Sequence, residues 1–519
     1  MKINKTKLVF WCLIGGLICL VSNAEAANWY VDNGATGANN GASWPNAWTS
    51  FSRVVWGTGG VQAGDTLFIS GGTTSKTYIE NWSVGASGTS GSPISIKTGQ
   101  DPGHNGTVIF DYGASGDSGT GSGIGLNGRS HIIISGKVGG LRRLKIQNLR
   151  NTSDSMQGTG IGGIGVTASN ILVEYVEIYN CNNGVYVSYS TNIEVRYCKI
   201  TMRGDTGVGL IASSGSWDSH RIHHNEITSM VNSGGPDGIS CSDGVSIYNN
   251  TFRITRHSSY TSDQHPDQIQ ATGNYLKVYN NDFVDIGDSA IDFDAWSNTE
   301  PHDVWIYNNI FRIVTAIDPY PEYFRLYSSN GRLSSATNFK ILNNLFIDNN
   351  AGGNNFTAVR FTVDGEVSGT GNEIKNNIFY NCGDGSQYFP MIQINGPSGS
   401  FSFDGNVYYH PSGTSYIKIY GKLYKSSEWI AESEPNGKTG APLFVSYTPY
   451  SAGNDLRLSA NDKVAINGGV NLSSYMTSDK NGVTRPQGGQ FDIGPYEYSI
   501  EVVGDGIQTP TGLRILTIQ

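Results

Sequence analysis

The sequence predicts an all-β solenoid with an N-terminal cap and a C-terminal closing segment, and three observations predict it. First, GPDGISCSDGVSIYNN, HPDQIQATGNYLKVYNN and DSAIDFDAWSNTEPHDVWIYNN follow one another, and PEYFRLYSS begins a further variation. Each copy pairs two short strands with a turn and ends on two asparagines. A unit too short to bury a core alone stacks on its neighbours. Second, the strands are short runs in which β-branched and aromatic residues alternate, the pattern of β-coils rather than helical repeats. Third, 68 of the 519 residues are glycine and only 15% are charged, which suits turn-rich β-structure.

The chain in order supports this reading. Residues 1–26 have the form of a secretory signal. Lys2, Lys5 and Lys7 precede the apolar run Leu8 to Val21, and Ala24-Glu25-Ala26 supplies a small-x-small cleavage site. The run is short for a membrane span, so an exported chain without a membrane anchor is expected. Residues 27–130 read as a cap and the first coils. Ala47 to Trp56 is expected to form a short amphipathic helix, with Trp44, Trp48 and Trp56 plugging the open coil end. Regular coils occupy 131–410. Leu423 to Ser433 reads as a helix within a closing segment at 411–500, and 501–519 as a tail.

The second asparagine of each pair sets the register. Asn225, Asn250, Asn281, Asn309, Asn344, Asn377 and Asn406 hold that place, with Cys198 and Val176 in earlier coils, at spacings from 22 to 35 residues. Variable spacing is what loops inserted at turns produce. A buried asparagine there satisfies backbone groups of its own and neighbouring coils and tolerates a left-handed turn. Aligning the first strand of each coil on this register places apolar residues inward at two alternate positions. The outward column is then Tyr186, Gly209, Ser240, Gln270, Asp292, Arg325, Arg360 and Gln393. A second contains Ser242, Thr272, Asp294 and Tyr327.

The G-[VI]-x-[VIL] strand followed by x-[IV]-x-N-N resembles the right-handed parallel β-helix proteins of the pectate-lyase-like superfamily. The likeness runs over residues 130–410 by pattern and from about 65 by looser strand matches. It implies a right-handed parallel β-helix and one of several activities: polysaccharide lyase, glycoside hydrolase, epimerase, tailspike or adhesin. No Lys-based lyase signature is present, and neither is the Asn-Thr-Asp or the Arg-Ile-Lys signature of polygalacturonases.

The candidate chemistry lies on the outward face. Asp237, Asp267, Asp292 and Asp294 fall on neighbouring coils about 4.8 Å apart, and Arg325 and Arg360 follow. Like charges stacked that closely oppose folding unless a cation or a shared proton intervenes. Oxygen ligands from the four aspartates would suit Ca²⁺. The resemblance then implies a lyase that cleaves uronate-containing glycans by β-elimination, with Arg325 as base and Arg360 as substrate clamp. The alternative is an inverting hydrolase, whose two carboxyls stand roughly 6.5–9.5 Å apart, drawn from Asp292 with Asp294 or Asp267 with Asp292. His265 would tune either site. Gln270, Trp296 and Tyr327 are the further sugar contacts, with Tyr186, Tyr320 and Tyr323 as other candidate platforms. A non-catalytic glycan-binding adhesin is the third reading.

The partner expected is a polysaccharide bound by a monomer. A net charge of −9 without a basic cluster excludes a nucleic-acid binder. Zinc is not expected, because nothing faces His220, His223 and His224 at ligand spacing. Cys181, Cys198, Cys241 and Cys382 read as packed thiols, with a Cys181–Cys198 disulfide open to an exported chain.

Overall fold

The computed structural model describes residues 26–113, 121–149, 158–211, 213–230, 236–255, 266–294, 301–315, 322–328, 335–349, 357–363, 369–395 and 400–499. The signal-like segment and the tail lie outside them. Alternating apolar residues produce three parallel sheets, each coil giving one strand to each sheet. Sheet A includes Asp237–Cys241, Ile269–Ala271, Ser289–Asp294, Glu322–Ser328, Val359–Val363 and Ile392–Ile394. Sheet B includes Val245–Tyr248, Leu276–Tyr279, His302–Tyr307 and Thr337–Leu342. Sheet C includes Thr251–Arg253, Asp282–Val284, Ile310–Arg312 and Leu345–Ile347. Strands pair only with the equivalent strands of the coils before and after, and the chain winds as a right-handed parallel β-helix. Stacking begins at the N-terminus, where Asn28–Val31 pairs with Thr66–Ile69, then Ile94–Thr98, then Ile132–Ser135.

Two ladders hold the coils in register. Inside sheet C, Phe252, Phe283, Phe311, Phe346, Phe379 and Tyr408 stack with ring centroids 4.6 to 5.6 Å apart. At the corner between sheets B and C lie the buried asparagines. Asn250 donates its backbone N–H and Nδ2 to Asn281 Oδ1 at 2.9 and 3.1 Å, and Nδ2 also donates to Ile222 O at 2.8 Å. The same bonding repeats from Asn225 to Asn406, and Cys198 N–H donates to Asn225 Oδ1 at the start. The left-handed conformation belongs to the residue before each rung. Asn249, Asn280, Asn308, Asn343 and Asn376 have φ between 51° and 57°. The sequence reading gave both tasks to one residue; the structure divides them between two.

The ends differ from expectation. No helix forms over Ala47 to Trp56; a single 3-10 turn, Phe51–Arg53, stands there. Trp48 bridges Val31 in parallel, and its backbone N–H donates to Tyr30 O, so a strand-like contact replaces the helix. Trp48 is buried and Trp56 packs on the core, whereas Trp44 lies on His104 at 3.9 Å and donates to Asp101. At the other end, Lys422–Lys425 is a strand antiparallel to Tyr416–Ile419, and the helix covers only Ser426–Ser433. Glu434 then terminates the asparagine ladder. It accepts from Asn406 N–H and Nδ2, Tyr408 Oη and Trp429 Nε1.

Beyond this cap the chain turns back as a strap along the flank of the solenoid. Asn343 Nδ2 donates to Asp492 O and Gly494 O, Asn376 Nδ2 to Val470 O, and Asn308 Nδ2 to Ser478 O. Leu456, Leu458 and Ile493 pack on Ile310, Leu345, Ile347, Ile378 and Val407. The four described cysteines are buried and free, so Cys181 and Cys198 are not bridged. Among the described residues no helix is long and apolar enough to cross a membrane.

Candidate active site on sheet A

The outward column forms as one line of paired residues. Tyr186, Gly209, Ser240, Gln270, Asp292, Arg325, Arg360, Gln393 and Lys418 occupy equivalent places on successive strands. Ile291, Phe293, Phe324, Leu326, Val359 and Phe361 point into the core beside them, each at most 1% exposed. Alternation on a rigid sheet is what turns Asp292, Arg325 and Arg360 outward together. Asp294 pairs with Tyr327 in the second column, but their side chains lie outside the described atoms. His265, Trp296 and Tyr320 lie outside the described residues. Tyr323 is not a sugar platform: it is fully buried among Phe311 and Phe346, because its place in the strand turns inward at the corner.

Arg325 is the centre of the described cluster. Its Nε donates to Asp292 Oδ1 at 2.7 Å, and its Nη1 lies 2.8 Å from Asp288 Oδ2. Asp267 Oδ1 and Glu322 Oε2 stand at 3.9 and 3.8 Å. Burial alone would pull the guanidinium pKa down, but Asp292, Asp267 and Asp288 outweigh it and hold Arg325 well above the ordinary arginine value. Glu322 bridges toward the next coil, 3.0 Å from Arg360 Nε. Its side chain is 3% exposed and accepts no well-aligned hydrogen bond among the described atoms. Burial pushes its pKa up to about 7, against the pull of Arg360 and Arg325 and with the push of Asp288 and Asp292.

Two of the expected site residues have other work in the described structure. Asp267 is fully buried, and its Oδ1 accepts the backbone N–H of Ser289 at 3.0 Å. Asp237 Oδ1 accepts the N–H of Asp267 at 3.2 Å. Both tie the corner leading into sheet A. Gln270 is half-buried beside Ser240, whose Oγ is 3.5 Å from its Oε1. Asp288 and Glu322 join the cluster without having been singled out as site residues. In sequence Asp288 merely follows a glycine, and Glu322 stands at the place before its strand that Asp237 and Asp267 hold in earlier coils. The only signal was the distance of each from the outward column, four residues before Asp292 and three before Arg325.

The described oxygens do not make a Ca²⁺ cage. Asp292 and Asp267 each commit an oxygen to a protein donor, and the Arg325 guanidinium already supplies the positive charge between them. Among the described residues no three His, Cys, Asp or Glu are grouped to hold a metal ion.

No protein-family model and no curated protein matches the chain. Solved structures do. The chain is similar to XylC in complex with xylose, with 9% identity and a TM-score of 0.54 over 90% of this chain and 98% of that one. It is similar to pectate lyase Pel9A, with 17% identity and a TM-score of 0.42 over 92% and 97%. It is also similar to the GH136 lacto-N-biosidase from Eubacterium ramulus, with 14% identity and a TM-score of 0.49 over 76% and 68%. Identities this low speak to fold alone. With its three stacked parallel sheets and its asparagine corner, the chain has a right-handed parallel β-helix fold.

Proposed function

We propose that the protein is a secreted, carbohydrate-active enzyme that hydrolyses a glycosidic bond in a polysaccharide lying along the outward column of sheet A. The observation that carries the reading is the pair of carboxylates, Asp288 and Asp292, held on one guanidinium. An Arg325 kept charged by three carboxylates cannot take a proton near neutral pH, so its environment argues against the base role that elimination requires. With three aspartates, Asp267, Asp288 and Asp292, set against Arg325 and Arg360, the cluster also lacks the excess of basic groups that would hold a uronate. Both arguments favour hydrolysis of a neutral sugar, with no step routed through a metal.

In this reading Asp288, more exposed than Asp292, takes the proton of the water that attacks the anomeric carbon, the leaving oxygen takes a proton from solvent, and Asp292 holds Arg325 beneath the sugar. Glu322 is a positioning residue behind Arg325 and Arg360, protonated over the acid range and ionising near neutrality. Arg360, Gln393 and Lys418 present hydrogen-bonding groups one coil apart, about 4.8 Å, and Gln270 presents another on the coil before Asp292. That spacing suits an extended chain of hydroxylated rings. Residues 1–26, read as a signal, support export.

The test uses purified protein on neutral and uronate-containing polysaccharides, following reducing ends and the ultraviolet absorbance of unsaturated products together. Hydrolysis predicts reducing ends without unsaturation, unaffected by chelator, and a loss of at least 100-fold in Asp288→Asn. Unsaturated product that disappears with chelator and in Arg325→Ala would instead establish the calcium-dependent lyase. Binding without turnover of any substrate would establish the adhesin.

A further inference from the structure

Where the strap crosses sheet C, it encloses a cleft of about 350 Å³. Asp282, Ile310 and Arg312 come from the coils, and Asn454, Asp455 and Arg457 from the strap. The charges in this cleft are matched except for one. Arg457 is paired with Asp455, Nη2 to Oδ2 at 2.6 Å and Nε to Oδ1 at 2.9 Å. Asp282 lies 3.7 Å from Lys480 Nζ. Arg312, half-buried, makes no ion pair and no guanidinium hydrogen bond among the described residues, and its Nε is buried away from any acceptor among them.

The contrast with the same sheet position two coils earlier is direct. Arg253 occupies the equivalent outward place, and its Nη2 is 2.6 Å from Asp285 Oδ2. A guanidinium withdrawn from water without an acceptor opposes folding, and burial strengthens its attraction for any anion that enters. Among the lining groups Arg312 and Arg457 equal Asp282 and Asp455 in number, but Asp455 is bound to Arg457 and Asp282 lies beside Lys480, which leaves Arg312 without a paired carboxylate. The amides of Asn454 and Asn481, and the Tyr496 hydroxyl, line the same space.

We propose that this cleft binds an oxyanion at Arg312. The ligand is a phosphate, a sulfate or the carboxylate of a sugar acid, held between solenoid and strap and away from the sheet A face. The site stands independently of the hydrolase reading, because none of its residues belongs to the Arg325 cluster.

The experiment is thermal unfolding and titration calorimetry of the full chain with inorganic phosphate, with sodium sulfate, with glucuronate, and with sodium chloride at matched ionic strength. A saturable rise in Tm with one of the oxyanions over chloride is expected, with binding at least tenfold weaker in Arg312→Gln and partly retained in Arg312→Lys. Arg312→Gln should stay folded in chloride, since it removes an unpaired charge. A preference for glucuronate would identify an acidic sugar as the source, and a preference for phosphate or sulfate a tetrahedral anion. No rise beyond chloride in the wild type, or an equal rise in Arg312→Gln, would overturn the proposal. Calorimetry on the wild type decides the matter even if a variant fails to fold.

Discussion

Glu322 and Arg325 set the terms for one another at the level of single residues. Folding raises the Glu322 pKa from 4.5 to about 7, so the folded chain binds its proton more tightly than the unfolded chain. Stability from that proton is full below pH 4.5 and is lost as pH rises through about 7. Glu322→Gln should therefore gain on the wild type between pH 4.5 and 8, by a difference on the order of 3 kcal/mol, measured as paired denaturant midpoints at the two pH values. An equal offset at both would show that Glu322 does not titrate in this window. Arg325→Met leaves the buried Asp292 without its counter-charge. Removing one partner of a buried pair costs about 3–5 kcal/mol, readable in urea unfolding at neutral pH. A loss under about 1 kcal/mol would mean that water already screens the cluster.

At the level of the element, the asparagine corner carries more of the fold than its polarity suggests. Each rung accepts two donors from the preceding coil and donates to a backbone carbonyl, all buried. Asn281→Leu strands those groups and should cost roughly 1–3 kcal/mol for each one left unpaired. Native-state hydrogen exchange at Asn250 N–H, which loses its acceptor, would show faster opening if the rung works as described. Unchanged exchange there would mean that strand pairing alone holds the corner. The strap is a second such element. Tyr447 donates to Asp348 Oδ1 at 2.7 Å beside Asn381 Nδ2, so Tyr447→Phe should cost about 1 kcal/mol and loosen the strap first. Limited proteolysis within 440–499 reads that loosening directly.

At the scale of the whole molecule, the described coil strands pair only with those of neighbouring coils, and the strap reaches across several coils. Stability of such a stack is close to a sum of coil and interface contributions. The two ends need covering, which the Trp48 and Phe51 plug and the Tyr416–Lys425 hairpin with its helix provide. The hydrolase reading routes no step through a metal, so it expects the same Tm in calcium and in chelator. A fall of several degrees with chelator would return calcium to the site.

What the sequence determined by itself was the coil: its register, its interior and the row of residues that face outward. Those follow from alternation and from the recurring Asn pair, which are local and repeated, so each copy reinforces the others. Gln270, Asp292, Arg325 and Arg360 were placed on one line from that pattern alone, and the strand pairing puts them there. The tertiary structure decided what the line does. Asp288, a turn residue in sequence, reaches Arg325 only because sheet A stacks one coil on the next. Asp237 and Asp267 accept backbone N–H groups at the corner, which need acceptors there. The protonation states of Glu322 and Arg325 depend on burial and on partners some 30 residues away in sequence, which no local pattern carries. The return of residues 440–499 along the flank, and the cleft it closes over Arg312, likewise exist only once distant coils are stacked.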